Sequence, residues 1–358
     1  MDTLKKYLPL VDRFLVTGLG CGLIGLCILT CGFLYAYRNP PRPRPSSTPI
    51  GLGVPATATS DSVTPTISVL TSTPFPTLTA TPQGAPAIVP TFGGDFAGTP
   101  PAGKIVFTCY VEQIDQICLM NADGSGRKQL THLDATSFYA SLSPDGQMIY
   151  FTSRHYGSFD IYSMNIKGKE LKKLTHGLGA LYAPELSPNG KQIVFTKNGD
   201  GIWVMRADGK NPHRLTNQDD IDPTWSPDGS MISFASSRTG QRQLYIMDAD
   251  GSNIRQITDL NDMGGRSTWS PEGKFIAFYR GPAGDHNVFV VEVATKATTR
   301  LTSGGDNLGP SWSPDGNWIA FTSFRDGNNE IYIMHPDGTG VTRLTNSNIS
   351  DWQPRWGK

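Results

Sequence analysis

Carboxylates are the residues of this 358-residue chain best spaced for chemistry. Asp219, Asp220 and Asp222 stand within four positions of one another, and Asp134, Glu185, Asp262, Asp306 and Asp351 fall in segments set at similar distances along the chain. Arg266 and the phenols of Tyr139 and Tyr182 lie in the same segments. A pair such as Asp220 and Asp222 suits general acid and base work on a glycan or other polymer, by hydrolysis or elimination. The field of clustered carboxylates also suits a basic peptide or a cation such as calcium. Ordinary solvated loop polarity is the plainer alternative.

Other chemical motifs point away from catalysis. No stretch resembles a G-x-S-x-G nucleophile elbow, an H-E-x-x-H zinc helix or a phosphate loop. His132 and His176 each follow a Leu-Thr pair, but Asn217, Asp259, Ser303 and Asn346 hold the same place elsewhere, so the position reads as a turn and no metal site is expected. The DADGSN run from Asp248 resembles the start of a calcium loop, yet no bidentate Glu follows at the required distance. It reads as a hairpin turn.

The elements that must position these acids are repeats. SPDG, or a close variant, begins at Ser143, Ser187, Ser226, Ser270 and Ser313, at intervals of 39 to 44 residues. Each copy is followed by an alternating strand (IYFTS, IVFTK, ISFAS, IAFYR, IAFTS), a second strand (IYSM, IWVM, LYIM, VFVV, IYIM) and a closing LT or IT. This period and strand count predict the blades of a β-propeller. Proline presets φ at the second position of the corner, Asp offers an acceptor, and Gly146, Gly229 and Gly316 relieve the exit of the turn. Ile149 and Phe151 are two apart, as are Ile232 and Phe234, and Ile319 and Phe321. Each pair therefore shares a strand face that must pack against a neighbouring blade. Trp225, Trp269, Trp312 and Trp356 recur with the repeat and read as core.

The chain ends determine the blade count. The first unit, KIVFTCY through Gln129-Leu-Thr, lacks a preceding SPDG, while Pro354-Arg-Trp356 aligns with Pro223-Thr-Trp225 and Pro310-Ser-Trp312. The C-terminal residues thus supply the innermost strand that the first unit lacks. The expected fold is all-β, a six-bladed β-propeller closed by strand exchange between the two ends, with no exposed sheet edge at the closure.

The phrase P-x-W-SPDG-x-x-IAF-x-S, followed by IY-x-M-x-x-DG and LT, resembles the repeat of TolB-type propellers. The resemblance covers about residues 104 to 358. It is specific for the fold and weak for function, because the repeated residues are mostly turn and packing positions. It implies a bacterial extracytoplasmic protein that binds other proteins; some related propellers accompany a peptidase domain. The chain departs from both patterns, with no α/β domain of the TolB kind expected ahead of the repeat and no hydrolase expected after Lys358.

From Phe14 to Tyr37 there are 24 residues without a charge, about 36 Å as a helix and enough to cross a hydrocarbon core of about 30 Å. We read residues 14–37 as an uncleaved transmembrane helix, since no A-x-A pattern ends the apolar run. Residues 1–13 are then a short cytoplasmic N-terminus. The basic residues tie, with Lys5, Lys6 and Arg13 before the span and Arg38, Arg42 and Arg44 after it. Residues 38–103, rich in Pro, Thr and Ser, cannot bury a core and read as a disordered stalk. A stalk places the propeller, residues 104–358, outside the cell membrane. Gly18, Gly22 and Gly25 share nearly one helix face and suggest a helix-mediated dimer, with lipid contact or bland packing as the plainer reading.

Cys21, Cys27 and Cys31 lie in the apolar span, leaving Cys109 and Cys118 on two strands of the first blade. A cross-strand disulfide and a pair of buried thiols both fit that placement. From residue 104 onward 25 Lys plus Arg stand against 27 Asp plus Glu, so no basic excess exists for nucleic acid. Threaded on the ring, the segments between each LT and the next innermost strand converge on one mouth of the channel. They bring Glu185, Asp219, Asp220, Asp222, Asp262, Arg266, Asp306 and Asp351 there. Loops on a rigid scaffold are common binding surfaces. The expected function is a non-catalytic protein- or peptide-binding scaffold without a cofactor, and the alternative is a lyase or hydrolase at the same mouth.

Overall fold

The computed structural model describes residues 98–358. The readings made on residues 1–97, the transmembrane helix and most of the stalk among them, lie outside the described residues. Six four-stranded antiparallel sheets follow one another along the chain. The second blade is typical, with strands Ser137–Leu142, Met148–Ser153, Asp160–Asn165 and Lys172–Lys173. The first strands of neighbouring blades pack against each other, which makes them innermost.

Closure occurs in the first blade. Its sheet is led by the C-terminal strand Asp351–Gly357, paired antiparallel with Lys104–Val111, so that Ile105 stands opposite Trp356 and Cys109 opposite Asp351. The ends of the repeat region are therefore joined by strand pairing, as the incomplete first unit requires.

Alternation along the central strands decides the packing. Ile149 and Phe151 join Val106 and Ile117 of the first blade, whereas Tyr150, pointing the other way, joins Ile193 and Phe195 of the third. Six such clusters fill the six clefts between blades. Phe151, Phe234, Phe278 and Phe321 each stack on the aromatic ring directly opposite on the next strand, with centroids 5.8 to 5.9 Å apart. Full burial of one such side chain contributes about 1.5–3 kcal/mol.

The two repeated polar phrases each satisfy backbone groups. At the SPDG corner the Ser226 hydroxyl donates to Asp228 at 2.6 Å and accepts from Met231 N at 2.8 Å, while Gly229 takes φ +72°. The Leu-Thr threonine acts in all six blades. Its hydroxyl accepts the N–H near the start of the third strand, from Ile117, Ile161, Ile202, Leu244, Val288 and Ile331, at 2.8 to 3.0 Å. A hydroxyl at that spot ties the two outer strands together where the outermost one is ending.

Cys109 and Cys118 are joined by a disulfide, with Cα atoms 5.8 Å apart. In the strand register Cys109 stands opposite Gln116 and Cys118 opposite Phe107, so the bond crosses the hairpin diagonally.

Candidate functional site at the channel mouth

A bulge interrupts five of the innermost strands at the same place, and in the fifth blade the matching residue precedes the short strand Thr268–Trp269. Four residues before the corner position, Tyr139, Ala183, Asp222, Arg266, Gly309 and Gln353 all take positive φ, between +33° and +55°. Such a conformation is uncommon for residues other than Gly, and here the neighbouring blade supports it. Asp222 N donates to Thr196 Oγ1 at 2.9 Å, and Gln353 N donates to Thr322 Oγ1 at 3.0 Å. The bulges aim a ring of unlike side chains into the channel at mid-depth.

That ring carries a buried polar plug. Arg266, 5% exposed, spans the channel from the fifth blade. Its Nη2 donates to Ala140 O at 3.1 Å and its Nη1 to Gln353 O at 3.4 Å, and its guanidinium lies over the Tyr139 ring. Asp222 Oδ2 accepts Arg266 N at 2.9 Å. Burial, followed by the like charge of Arg355, pulls the Arg266 pKa down. The Asp222 carboxylate, then burial, pushes the Tyr139 phenol up. Gly264 and Gly265 make room for the plug, since a Cβ on Gly264 would stand 2.0 Å from the Tyr279 ring and one on Gly265 1.9 Å from Asp222 Oδ2.

The expected site residues separate into distinct environments. Asp219 and Asp262 are exposed beside the mouth, as is Asp134, which meets His155 Nδ1 at 3.1 Å. Asp306 is half-buried and paired with His286 Nδ1 at 2.6 Å. Asp220 and Asp351 are fully buried and each holds an arginine at 2.8 Å, Arg238 and Arg127 respectively. Burial, opposed by Arg127, raises the Asp351 pKa. Asp222 and Arg266 belong to the plug. Glu185 lies beyond the bulge and lines a cavity at the corner end of the channel rather than the mouth. A strand that runs through the channel delivers its later residues to the far end, which explains the placement.

Two aromatic residues absent from the sequence reading stand out at the mouth. Phe138 is the second residue of the innermost strand of the second blade, Tyr182 is the second of that of the third, and Phe159 lies in the loop between the second and third strands of the second blade. All three are half-buried. Their ring centroids are 5.3 to 6.0 Å apart, and the Arg154 guanidinium lies 5.7 Å from Phe159. Tyr156 is 68% exposed, with Lys173 Nζ over its ring. The signal in the sequence is a departure from the repeat, because the residue before the bulge is Phe138 or Tyr182 in these two blades but Ile221 and Leu308 in two others.

The fold and channel define a six-bladed β-propeller with a plugged axis and an aromatic, acid-flanked mouth. The TolB beta propeller domain model matches residues 88–201, 178–284 and 260–358, and the chain belongs to that family. The Protein TolB homolog of Chlorobium luteolum is 32% identical over 155 residues, covering 42% of this chain and 36% of that protein. The Uncharacterized peptidase YuxL of Bacillus subtilis is 39% identical over 62 residues, 16% of this chain and 9% of that one. The chain thus spans well under half the length of these curated relatives. The crystal structure of TolB from Acinetobacter baumannii superposes with a TM-score of 0.64 at 25% identity, covering 74% of this chain and 67% of that one.

Proposed function

We propose that this protein is a non-catalytic scaffold that docks a protein or peptide on the channel mouth. The cluster of Phe138, Phe159 and Tyr182, with Arg154 against it, carries the reading. Partly exposed aromatic side chains and arginine are the residue types that dominate binding energy at interfaces. The plug below them leaves a ligand to rest on the mouth instead of threading the ring, and the exposed Asp219 and Asp262 give the rim a preference for basic groups on the partner. Membership of a family of TolB-type propellers supports a protein ligand. The buried acids Asp220 and Asp351 take no part, since each already holds an arginine.

The uncharged run Phe14–Tyr37 and the Pro- and Thr-rich residues after it support a tethered, extracytoplasmic placement of the propeller. The disulfide between Cys109 and Cys118 supports the same side, because such bonds persist in oxidising compartments.

Capture from intact cells with the full chain, beside variants Phe138→Ala and Tyr182→Ala, tests the proposal. The expected result is one identified protein retained by the parent chain and weakened about tenfold or more by each variant, with thermal melts showing both variants folded. Equal capture by parent and variants would remove the mouth from the account.

A further inference from the structure

The end of the channel opposite the mouth holds a second site. Innermost strands enter at the mouth and leave through the SPDG corners, so the corner residues surround the far opening. There a cavity of about 430 Å³ draws residues from all six blades. That volume lies within the rough range of 300–1,000 Å³ typical of small-molecule sites. Its rim carries the five corner prolines, Pro144, Pro188, Pro227, Pro271 and Pro314, which have no N–H to offer and little freedom to move. Leu142, Leu186, Trp225 and Trp269 contribute apolar wall.

The cavity is lined by hydroxyls as well as apolar groups, and its depth is charged in one place. Two residues before the corner the repeat has Ser141, Thr224, Thr268 and Ser311, but Glu185 in the third blade and Arg355 in the first. Thr224 Oγ1 and Trp225 N both donate to Glu185 Oε1, at 2.7 and 2.9 Å. The second oxygen, Oε2, faces Arg355 Nη2 across 3.8 Å, wider than a charged hydrogen bond of about 2.7–2.9 Å. Arg355 is 7% exposed, its Nη1 donates to Ser267 O at 3.1 Å, and its Nε has no hydrogen-bond partner.

An acceptor and a donor of opposite charge thus face each other across a gap wider than a hydrogen bond, at the bottom of an apolar-rimmed socket. A carboxylate entering it meets Glu185, and an ammonium meets Arg355, so a charged head gains on one side and loses on the other. A hydroxyl satisfies both, since it donates and accepts through the same oxygen. We infer that this cavity binds a phenolic group, hydroxyl first, with the oxygen bridging Glu185 and Arg355 and the ring held among the prolines and tryptophans. The group comes from a free phenol or from a tyrosine side chain of a partner. The inference is independent of the mouth and stands or falls apart from it.

Titration of the full chain with p-cresol, toluene, benzoate and benzylammonium, followed by tryptophan fluorescence, tests it without any substitution. The expected order is p-cresol about tenfold or more tighter than each of the other three, which equals the loss of one well-made polar contact. Glu185→Gln and Arg355→Met are each expected to erase the advantage of p-cresol over toluene, with a melt to establish folding. N-acetyltyrosinamide binding more tightly than p-cresol assigns the site to a partner's tyrosine, and weaker binding assigns it to a free phenol. Toluene matching p-cresol, either ion matching it, or no binding by any of the four at millimolar concentration would overturn the inference.

Discussion

The guanidinium of Arg266 lies 5.0 Å from the centre of the Tyr139 ring, and the two side chains meet from opposite sides of the propeller, the fifth blade and the second. A cation over an aromatic face is stabilised most when desolvated, and Arg266 is almost wholly enclosed. Its guanidinium donates to the Ala140 and Gln353 carbonyls, and the Asp222 carboxylate holds the Arg266 backbone. The axis of the ring is therefore a structural element and not an open pore.

Replacing Arg266 by Met removes the cation over Tyr139 and leaves the Ala140 and Gln353 carbonyls without their donor. Leaving a buried acceptor unsatisfied costs about 1–3 kcal/mol. Urea unfolding of Arg266→Met should show a loss of that order. A loss below about 1 kcal/mol would mean that the plug is solvated.

The disulfide between Cys109 and Cys118 closes a loop with a sequence separation of 9. A loop of that size gives about 2–3 kcal/mol by the chain-entropy relation. Reductant, or the double change of both cysteines to Ser, should lower the urea midpoint accordingly. Free thiol titration of the unreduced protein should find neither cysteine reactive.

Loss of the last strand should be more damaging than its length suggests. Truncation before Asp351 removes Trp356 from the core and strips Lys104–Val111 of the partner on its inner edge. An unpaired strand edge is a template for association. The truncated chain is expected to elute as oligomers or aggregates in gel filtration, whereas the parent chain should show no edge-driven association.

Acid should lower stability through the corners. The hydroxyls of Ser143 and Ser226 hold the carboxyls of Asp145 and Asp228 below the usual carboxylate range. A depressed folded-state pKa gives stability that is complete above the unfolded value, about 4, and is lost as pH falls through the folded value. The melting temperature of the parent should fall more steeply between about pH 5 and pH 2 than that of Asp228→Asn, because the amide has nothing to titrate. Parallel curves would show that the corner acids carry no pH-linked stability.

The fold was legible because its parts are periodic. Ile149 and Phe151 share a face through a spacing of two, and Pro354-Arg-Trp356 repeats the Pro and Trp of two other innermost strands. The channel was less legible, for three physical reasons. The positive φ recurs at Tyr139, Ala183, Asp222, Arg266, Gly309 and Gln353, which share no chemistry that a sequence displays. Acids in one loop segment look alike, but Asp219 is exposed whereas Asp220 meets Arg238, and a single step along the chain decides which. The recoverable signal lay in departures from the repeat, with Glu185 and Arg355 replacing Ser or Thr, and Phe138 and Tyr182 where Ile221 and Leu308 stand in two other blades.

Site-directed photo-crosslinking in intact cells tests the binding reading most directly. A photoreactive residue at Tyr182, on the mouth, is compared with one at Asn317, beside a corner on the opposite face. The account predicts a discrete adduct with one identified protein from position 182 that is lost when Phe138→Ala is added, and no adduct with that protein from position 317. Adducts from position 317 alone, or none from position 182, would contradict it.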